Sequence, residues 1–142
     1  MSFPTTRLRR LRSSESLRNL VRETQMDVQD LVAPLFVRPG EQEKRPISSM
    51  PGHFQFSVDM LVGEAKRLCG LGIPAVILFG IPEDKDAHAS GAYDSKGIIQ
   101  KAARALKEDV PGLMVITDLC FCEYTDHGHC GIIKKQGSGV RG

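Results

Sequence analysis

The chain has 142 residues, of which 41% are hydrophobic and 25% charged, and its formal net charge is +2. This length suffices for one domain with a buried core, and so small a charge does not indicate a nucleic-acid partner. No apolar run approaches the ~18–20 residues that cross a bilayer, and none follows the basic start as it would in a secretory signal peptide. We therefore expect a cytoplasmic globular protein with reduced cysteines and no membrane partner.

Residues 1–25 are predicted to form an N-terminal arm. Six arginines stand against two glutamates, and apolar residues are sparse. The spacing of Leu17, Leu20 and Val21 predicts one short amphipathic helix. An arm that packs on another subunit is the favoured interpretation, and a disordered tail or a targeting or nucleic-acid role is the alternative. Such an Arg- and Ser-rich start is also typical of mitochondrial presequences, which leaves organellar targeting open.

The next segment is predicted to be a strand followed by a long loop. Residues 31–37 form an apolar run that reads as a strand interrupted by Pro34. Residues 38–56 are rich in proline, glycine and charge, which is typical of a loop, with a turn at 50–52.

Two helices and two more strands are predicted after this loop. Ser57 is a suitable N-cap for the first helix, and Asp94 or Ser95 for the second. Each helix has an apolar stripe at helical spacing: Leu61, Ala65 and Leu68 in the first, and Ile98, Ala102 and Leu106 in the second. Apolar runs at 75–79 and 113–117 predict strands. Alternation of this kind builds parallel α/β folds, whose active sites gather at the carboxyl ends of the strands.

The last predicted strand leads directly into a cluster of metal-binding residue types. Cys120, Cys122 and Cys130 share an eleven-residue window with His127 and His129. In an extended stretch, residues at i and i+2 point to the same side, and eight further residues suffice for the third cysteine to fold back. Three thiolates can hold a zinc ion and leave its fourth position open for a substrate. A structural zinc site closed by one of the histidines, and free thiols without a metal, are the alternatives.

Other polar residues carry weaker signals. Asp118 at the strand end is a candidate for orienting a substrate amine or a lysine, and equally for capping a loop. Glu123 and Asp126 are candidates for supporting a histidine or for plain surface charge. Cys69 is expected to be a small buried hydrophobe, and His53 and His88 to be solvated loop residues.

The segment that contains the three cysteines resembles a known protein family. The segment 118–131 closely resembles the zinc loop of the delta-aminolevulinic acid dehydratase family, also called porphobilinogen synthase. Further stretches are similar to that family: 9–12, 30–37, 49–52 and 78–80. The similarity runs from about residue 5 to Ile133.

The resemblance implies a zinc-dependent lyase with an eight-stranded (β/α)8 TIM barrel, whose arm wraps a neighbouring subunit in a homo-octamer. The family condenses two molecules of 5-aminolevulinate into porphobilinogen, with loss of water, in tetrapyrrole and heme biosynthesis. Carried over by position, the zinc ligands are Cys120, Cys122 and Cys130, and Asp118 matches an active-site aspartate. The full-length family also admits magnesium.

The resemblance covers only part of a barrel. About three of eight strands are found, so residues 26–133 are expected to form a partial TIM-barrel domain, followed by a non-family tail at 134–142. The two Schiff-base lysines of the family lie in the missing half, and Lys134 and Lys135 are in the wrong place to replace them. We therefore expect this chain to be inactive by itself. The alternative is a non-catalytic zinc-binding fragment that associates with full-length subunits. A small thiol redox protein is a weaker alternative, because the spacing is not C-x-x-C.

Overall fold

A computed structural model describes residues 9–133, so Arg7 of the arm and the predicted tail with Lys134 and Lys135 lie outside the described residues. The helices are α1 (Glu15–Leu20), α2 (Val58–Gly70), α3 (Ser90–Tyr93) and α4 (Ile98–Asp109). The strands are β1 (Val32–Val37), β2 (Lys44–Pro46), β3 (Phe54–Phe56), β4 (Ala75–Gly80) and β5 (Met114–Thr117). Short 3-10 turns lie at Arg9–Arg12 and Val28–Asp30.

The five strands form one sheet in the order β2-β3-β1-β4-β5. The pairs β1–β4 and β4–β5 are parallel, with Val32 opposite Ala75 and Ala75 opposite Met114. β3 is parallel to β1 at two positions, and β2 is antiparallel to β3. Since α2 connects β3 to β4 and α4 lies between β4 and β5 in the chain, the predicted α/β class with parallel strands is confirmed.

One face of the sheet is covered by α2 and α4, which also pack on each other. The predicted stripes of both helices are buried, and they meet Leu35, Val37, Val76 and Leu78 of the sheet. Each large aliphatic side chain removed from water in this way contributes about 1.5–3 kcal/mol. The core therefore lies between the helices and the centre of the sheet, and it holds the strand ends in place.

The opposite face of the sheet is only partly covered. Phe36 and Phe79, which are opposite each other in β1 and β4, stack there with ring centroids 5.3 Å apart. At the edge of the sheet, Met114 of β5 is 61% exposed. Among the described residues β5 pairs only with β4, so its outer edge is free to pair with another strand.

Two predictions in the first half of the chain were wrong. β1 is not interrupted at Pro34, because β3 pairs with β1 only at Phe36 and Val37. Pro34 thus lies where β1 has one neighbouring strand, and a missing N–H is tolerated there. Residues 38–56 are not all loop, because β2 and β3 form a short hairpin. Its three-residue strands are too short for a periodic signal, and Lys44 over the Phe54 ring (4.3 Å) helps to hold them.

Helix starts were predicted with mixed success. Ser57 is the N-cap residue of α2, yet its Oγ accepts from the Glu43 backbone N–H at 2.9 Å and makes no capping hydrogen bond to the helix. The N-cap of α4 is Gly97, not Asp94 or Ser95. The Asp94 carboxylate accepts from the Lys96 N–H at 2.8 Å, so it stabilises a turn before the helix.

The described part of the arm contains the predicted short helix. α1 begins after Ser14, whose hydroxyl accepts from the Leu17 N–H at 3.2 Å, and it ends at Leu20. No residue of α1 is buried, and Leu20 is 81% exposed. Leu17 is half-buried and α1 contacts the 3-10 turn Arg9–Arg12, so the apolar side of this helix is only partly covered within residues 9–133.

Candidate metal centre

The cysteine loop begins where β5 ends, at the carboxyl edge of the parallel sheet. The chain passes through exposed Asp118 and Leu119 and then makes a tight turn, in which the Tyr124 N–H donates to the Phe121 carbonyl at 2.9 Å. Gly128, with a φ of +74°, allows the chain to reverse before Cys130. The turn and the reversal together bring the two ends of the loop side by side.

Three sulfur atoms meet in this loop. The Sγ of Cys120 lies 2.8 Å from that of Cys122 and 3.6 Å from that of Cys130, and the remaining Sγ–Sγ distance is 3.3 Å. Tetrahedral thiolate ligands with Zn–S bonds of about 2.3 Å would lie about 3.8 Å apart. The sulfur atoms are therefore gathered within the size of one metal site, as the i, i+2 spacing and the eight-residue return predict.

The two histidines of the loop lie outside this group. Among the described residues, the convergent ligand atoms belong to the three cysteines and to no imidazole. The Nδ1 of His127 accepts from the His129 N–H at 3.3 Å, and the two rings stack with centroids 6.2 Å apart. This arrangement disfavours a closed site with a histidine as the fourth ligand.

The acidity of the thiols reflects their mutual contacts. Hydrogen bonds with Cys120 and then Cys130 raise the pKa of the Cys122 thiol to about 12. The Phe121 N–H, 3.3 Å from the Sγ of Cys130, is the main cause that lowers the pKa of that thiol. Because the three sulfur atoms share protons, the Cys122 thiol is favoured in its neutral form. A divalent cation bound to the sulfur atoms would displace that proton. The donor set is thus suited to a soft divalent metal such as zinc.

Tyr124 and Thr125 fasten the loop to the rest of the protein, and both are buried. The Tyr124 side chain lies against Gly80 at the end of β4, where an added Cβ would meet the Tyr124 hydroxyl and lie 2.7 Å from the Cγ1 of Ile99. Burial, and then the charges of Glu123 and Asp118, raise the pKa of Tyr124. Sequence reasoning missed both anchors, although a glycine directly after an apolar strand is a signal of close approach.

A second anchor comes from the loop after β4. The Asp86 N–H donates to the Tyr124 carbonyl and the Asp126 N–H to the Asp86 carbonyl, both at 3.2 Å, so the two loops run parallel for one bridge. The Asp86 carboxylate accepts from the hydroxyl of Ser90 and from the backbone N–H of His88 at 2.7 Å. The sequence analysis did not single out Asp86, because a lone aspartate in a polar loop has no distinctive pattern.

Asp118 is the first residue after β5, and it is exposed. Its charge is the second cause, after burial, that raises the pKa of Glu123. Asp118 and Glu123 flank Cys120 and Cys122 in the chain. Glu123 is half-buried, and Asp126 is exposed.

The comparison with known proteins decides the family. The sequence model of delta-aminolevulinic acid dehydratase matches residues 5–141, which is nearly the whole chain. The chain belongs to the delta-aminolevulinic acid dehydratase family. The resemblance read from segment 118–131 is confirmed. The divisions at residues 25 and 133 stay predictions, as does a tail outside the family.

Individual relatives agree with the family assignment. The dehydratase of Synechococcus elongatus is 57% identical over 132 residues, which cover 93% of this chain and 40% of the relative. That of Methanothermus sociabilis is 50% identical over 136 residues, covering 96% and 42%. The chain thus spans about 40% of the length of these relatives.

A solved structure extends the agreement to the fold. The dehydratase of Toxoplasma gondii, in complex with the reaction product porphobilinogen, superposes with a TM-score of 0.87 at 34% identity, covering 93% of this chain and 38% of that one. The partial-barrel prediction for the fold is therefore confirmed: the sheet of this chain, with its two covering helices, is part of that enzyme's architecture.

The remaining predicted residues are spread through the fold. Cys69 packs against the core but is only half-buried, so its interpretation as a small buried hydrophobe is confirmed in part. His88 is exposed and His53 half-buried. Every helix within residues 9–133 is too short or too polar to cross a bilayer.

A cleft of about 500 Å³ lies between the strand ends and the helix starts. Arg38 and Pro82, which follow β1 and β4, line one side, and Gly97 and Ile98 at the start of α4 line the other. Tyr124 also lines the cleft, and it is the one residue of segment 118–131 that does so. The cleft and the cysteine loop therefore meet at Tyr124, and the three cysteines do not line the cleft.

Proposed function

We propose that this chain supplies the zinc-binding part of a porphobilinogen synthase, with Cys120, Cys122 and Cys130 as the ligands. The convergence of the three sulfur atoms at the carboxyl end of β5, in a member of this family, carries the proposal. Zinc in this site would polarise a carbonyl oxygen or bind an amine. Since the imidazoles lie outside the sulfur group, a fourth position would remain open to a ligand.

The substrate of the whole enzyme is proposed to be 5-aminolevulinate, which carries both a carbonyl and an amine. The product-bound structure from Toxoplasma gondii supports a substrate of this class. Asp118, which is exposed and stands two residues before Cys120, is proposed to orient the substrate amine through its carboxylate. The homo-octamer, the cytoplasmic location and magnesium in the full-length family remain parts of this proposal.

We propose that the chain is not active by itself. The condensation is proposed to use two lysines that form Schiff bases, and no residue of segment 118–131 supplies one. We therefore expect the 142-residue chain to bind zinc without forming porphobilinogen.

Metal analysis and an activity assay test this function together. The purified chain should hold about one zinc ion, and Cys122→Ser should lower its zinc affinity by about 10-fold or more, since a ligand is lost. Cys69→Ser, which changes a cysteine outside the site, should leave zinc affinity unchanged. Incubation with 5-aminolevulinate should give no porphobilinogen above background. Absence of bound zinc would contradict the proposed site, and turnover would contradict the proposed inactivity.

The alternative function is a non-catalytic zinc-binding fragment that associates with full-length subunits. Exposed apolar side chains on α1 and at the β5 edge favour this alternative, because such surfaces are usually covered by a partner. Co-purification of the chain with an intact dehydratase, tested with and without Leu20→Ser in α1, distinguishes the two. A chain that never co-purifies argues against association.

A further inference from the structure

Thr125 combines unusual burial with contacts to both ends of the cysteine loop. Its relative exposure is 2%, and among residues 9–133 only Ser57 is another buried polar residue. The Thr125 Oγ1 lies 3.0 Å from the His129 carbonyl oxygen and 3.3 Å from that of Cys122. A buried hydroxyl of this kind is expected to be hydrogen-bonded, and its single proton is shared between the two carbonyls.

The two carbonyls belong to the two sides of the sulfur group. One belongs to Cys122 itself, and the other to the peptide bond that joins His129 to Cys130. Fixing both carbonyls to one hydroxyl fixes the separation of the two backbone segments. The hydroxyl therefore helps to set the 3.3 Å distance between the Sγ atoms of Cys122 and Cys130.

Thr125 is itself anchored to the body of the protein. Its N–H donates to the Phe121 carbonyl at 3.1 Å. The peptide groups on either side of it bond to the backbone of Asp86, through Tyr124 and Asp126. The hydroxyl is thus held from the β4 side of the fold, and it transmits that position to the cysteine loop.

We infer that Thr125 is a positioning residue for the zinc centre, and that its hydroxyl holds the second and third cysteine ligands at binding distance. The inference rests on the proposed zinc site. Thr125 is not itself a metal ligand. It influences metal affinity because its hydroxyl holds the backbone next to two of the ligands.

The test compares three variants of the 142-residue chain. Thr125→Val removes the hydroxyl with little change of shape, Thr125→Ser retains it, and Thr117→Val makes the same change at an exposed threonine of β5. Zinc affinity is measured by competition with a chromophoric chelator, and the number of thiolate ligands by the sulfur-to-metal charge-transfer band of the Co²⁺ form. The thermal midpoint of the metal-free chain is measured in the presence of a chelator.

Thr125→Val should lower zinc affinity about 10- to 100-fold, as loss of a group that orients metal ligands does, and should weaken the charge-transfer band. The zinc affinities of Thr125→Ser and Thr117→Val should stay within about 3-fold of that of the parent, since the orientation of the ligands is kept. A Thr125→Val chain with parental zinc affinity overturns the inference. So does a lowered thermal midpoint with unchanged affinity, which would show a role in folding alone.

Two further outcomes are decisive. If Thr125→Val does not fold, Thr125→Ala, which leaves space for a bridging water, is measured instead. Failure of both to fold while Thr125→Ser folds assigns the hydroxyl to fold stability and overturns the inference. A parent chain that binds no zinc contradicts the proposed function, whereas a zinc-binding parent with an insensitive Thr125→Val contradicts only the inference.

Discussion

At the scale of single residues, the cysteine loop depends on groups that are not metal ligands. The loop is held to the rest of the protein by Tyr124, Thr125 and Asp86, whereas the three cysteines supply the sulfur atoms. The cysteines were found from spacing, because one chain reversal is enough to bring residues within eleven positions together. The anchors were not, because their partners are distant in the chain and only the fold brings them together.

Asp86 provides a prediction about pH. The Ser90 hydroxyl, and then the His88 N–H, lower the pKa of Asp86 below its usual 3.8. A lowered folded-state pKa stabilises the fold above the unfolded pKa, and this contribution is lost as the pH falls through the folded value. Asp86→Asn should therefore lower the thermal midpoint of the metal-free chain at pH 7.

The difference in thermal midpoint between the parent and Asp86→Asn should shrink as the pH falls through the folded-state pKa of Asp86, which lies below 3.8. Asp84→Asn, which changes an exposed neighbour with no carboxylate hydrogen bond among residues 9–133, is the control. Thermal melts from pH 2 to 7 measure both variants. A difference that is constant across this range would contradict the proposed role of the Asp86 charge.

At the scale of elements, the end of β4 is packed against the cysteine loop through a glycine. Gly80→Ala should destabilise the chain by about 1–3 kcal/mol, because the new methyl group meets the Tyr124 hydroxyl and Ile99. Tyr124→Phe removes one of these obstacles, so the double variant should recover part of the loss. Urea unfolding of the four chains of this double-mutant cycle measures the coupling.

Gly63→Ala is the matched control for this cycle. Gly63 lies in α2 with open space around its Cα, so alanine there should stabilise the helix by about 1 kcal/mol. The explanation by close packing of Tyr124 on Gly80 would be wrong in either of two cases. In one, Gly80→Ala costs no more stability than Gly63→Ala; in the other, adding Tyr124→Phe recovers none of the stability lost in Gly80→Ala.

Helices and strands were predictable to different degrees. The stripes of α2 and α4 repeat over about two turns each, so their burial followed directly from the sequence. The strands β2 and β3 contain three residues each and were read as loop, since pairing with a neighbour rather than their own pattern creates them. The start of α4 was misplaced because Asp94 stabilises a turn instead of a cap.

At the scale of the whole molecule, the sheet has a free edge. β5 pairs on one side only among the described residues, and Met114 is exposed there. An apolar edge strand promotes association between chains, and a lysine on such an edge opposes it. Met114→Lys should therefore reduce self-association of the purified chain without loss of helical circular dichroism.

Light scattering at increasing protein concentration measures this effect. Met60→Lys, at an exposed methionine on α2 away from the sheet edge, is the control and should leave association unchanged. Equal association of the parent and Met114→Lys chains would show that the β5 edge is not the contact.

The sequence by itself determined three features: the group of three cysteines, the apolar stripes of two helices and the buried strands. Each is a pattern of residues that are close together in the chain. The family could be recognised from segment 118–131 for the same reason. Only the tertiary structure decided that the imidazoles lie outside the sulfur group, that Gly80 must be small, and that Thr125 joins the loop ends. These features depend on contacts between segments that are far apart in the chain, or on the direction of a side chain within a turn, which periodicity does not encode.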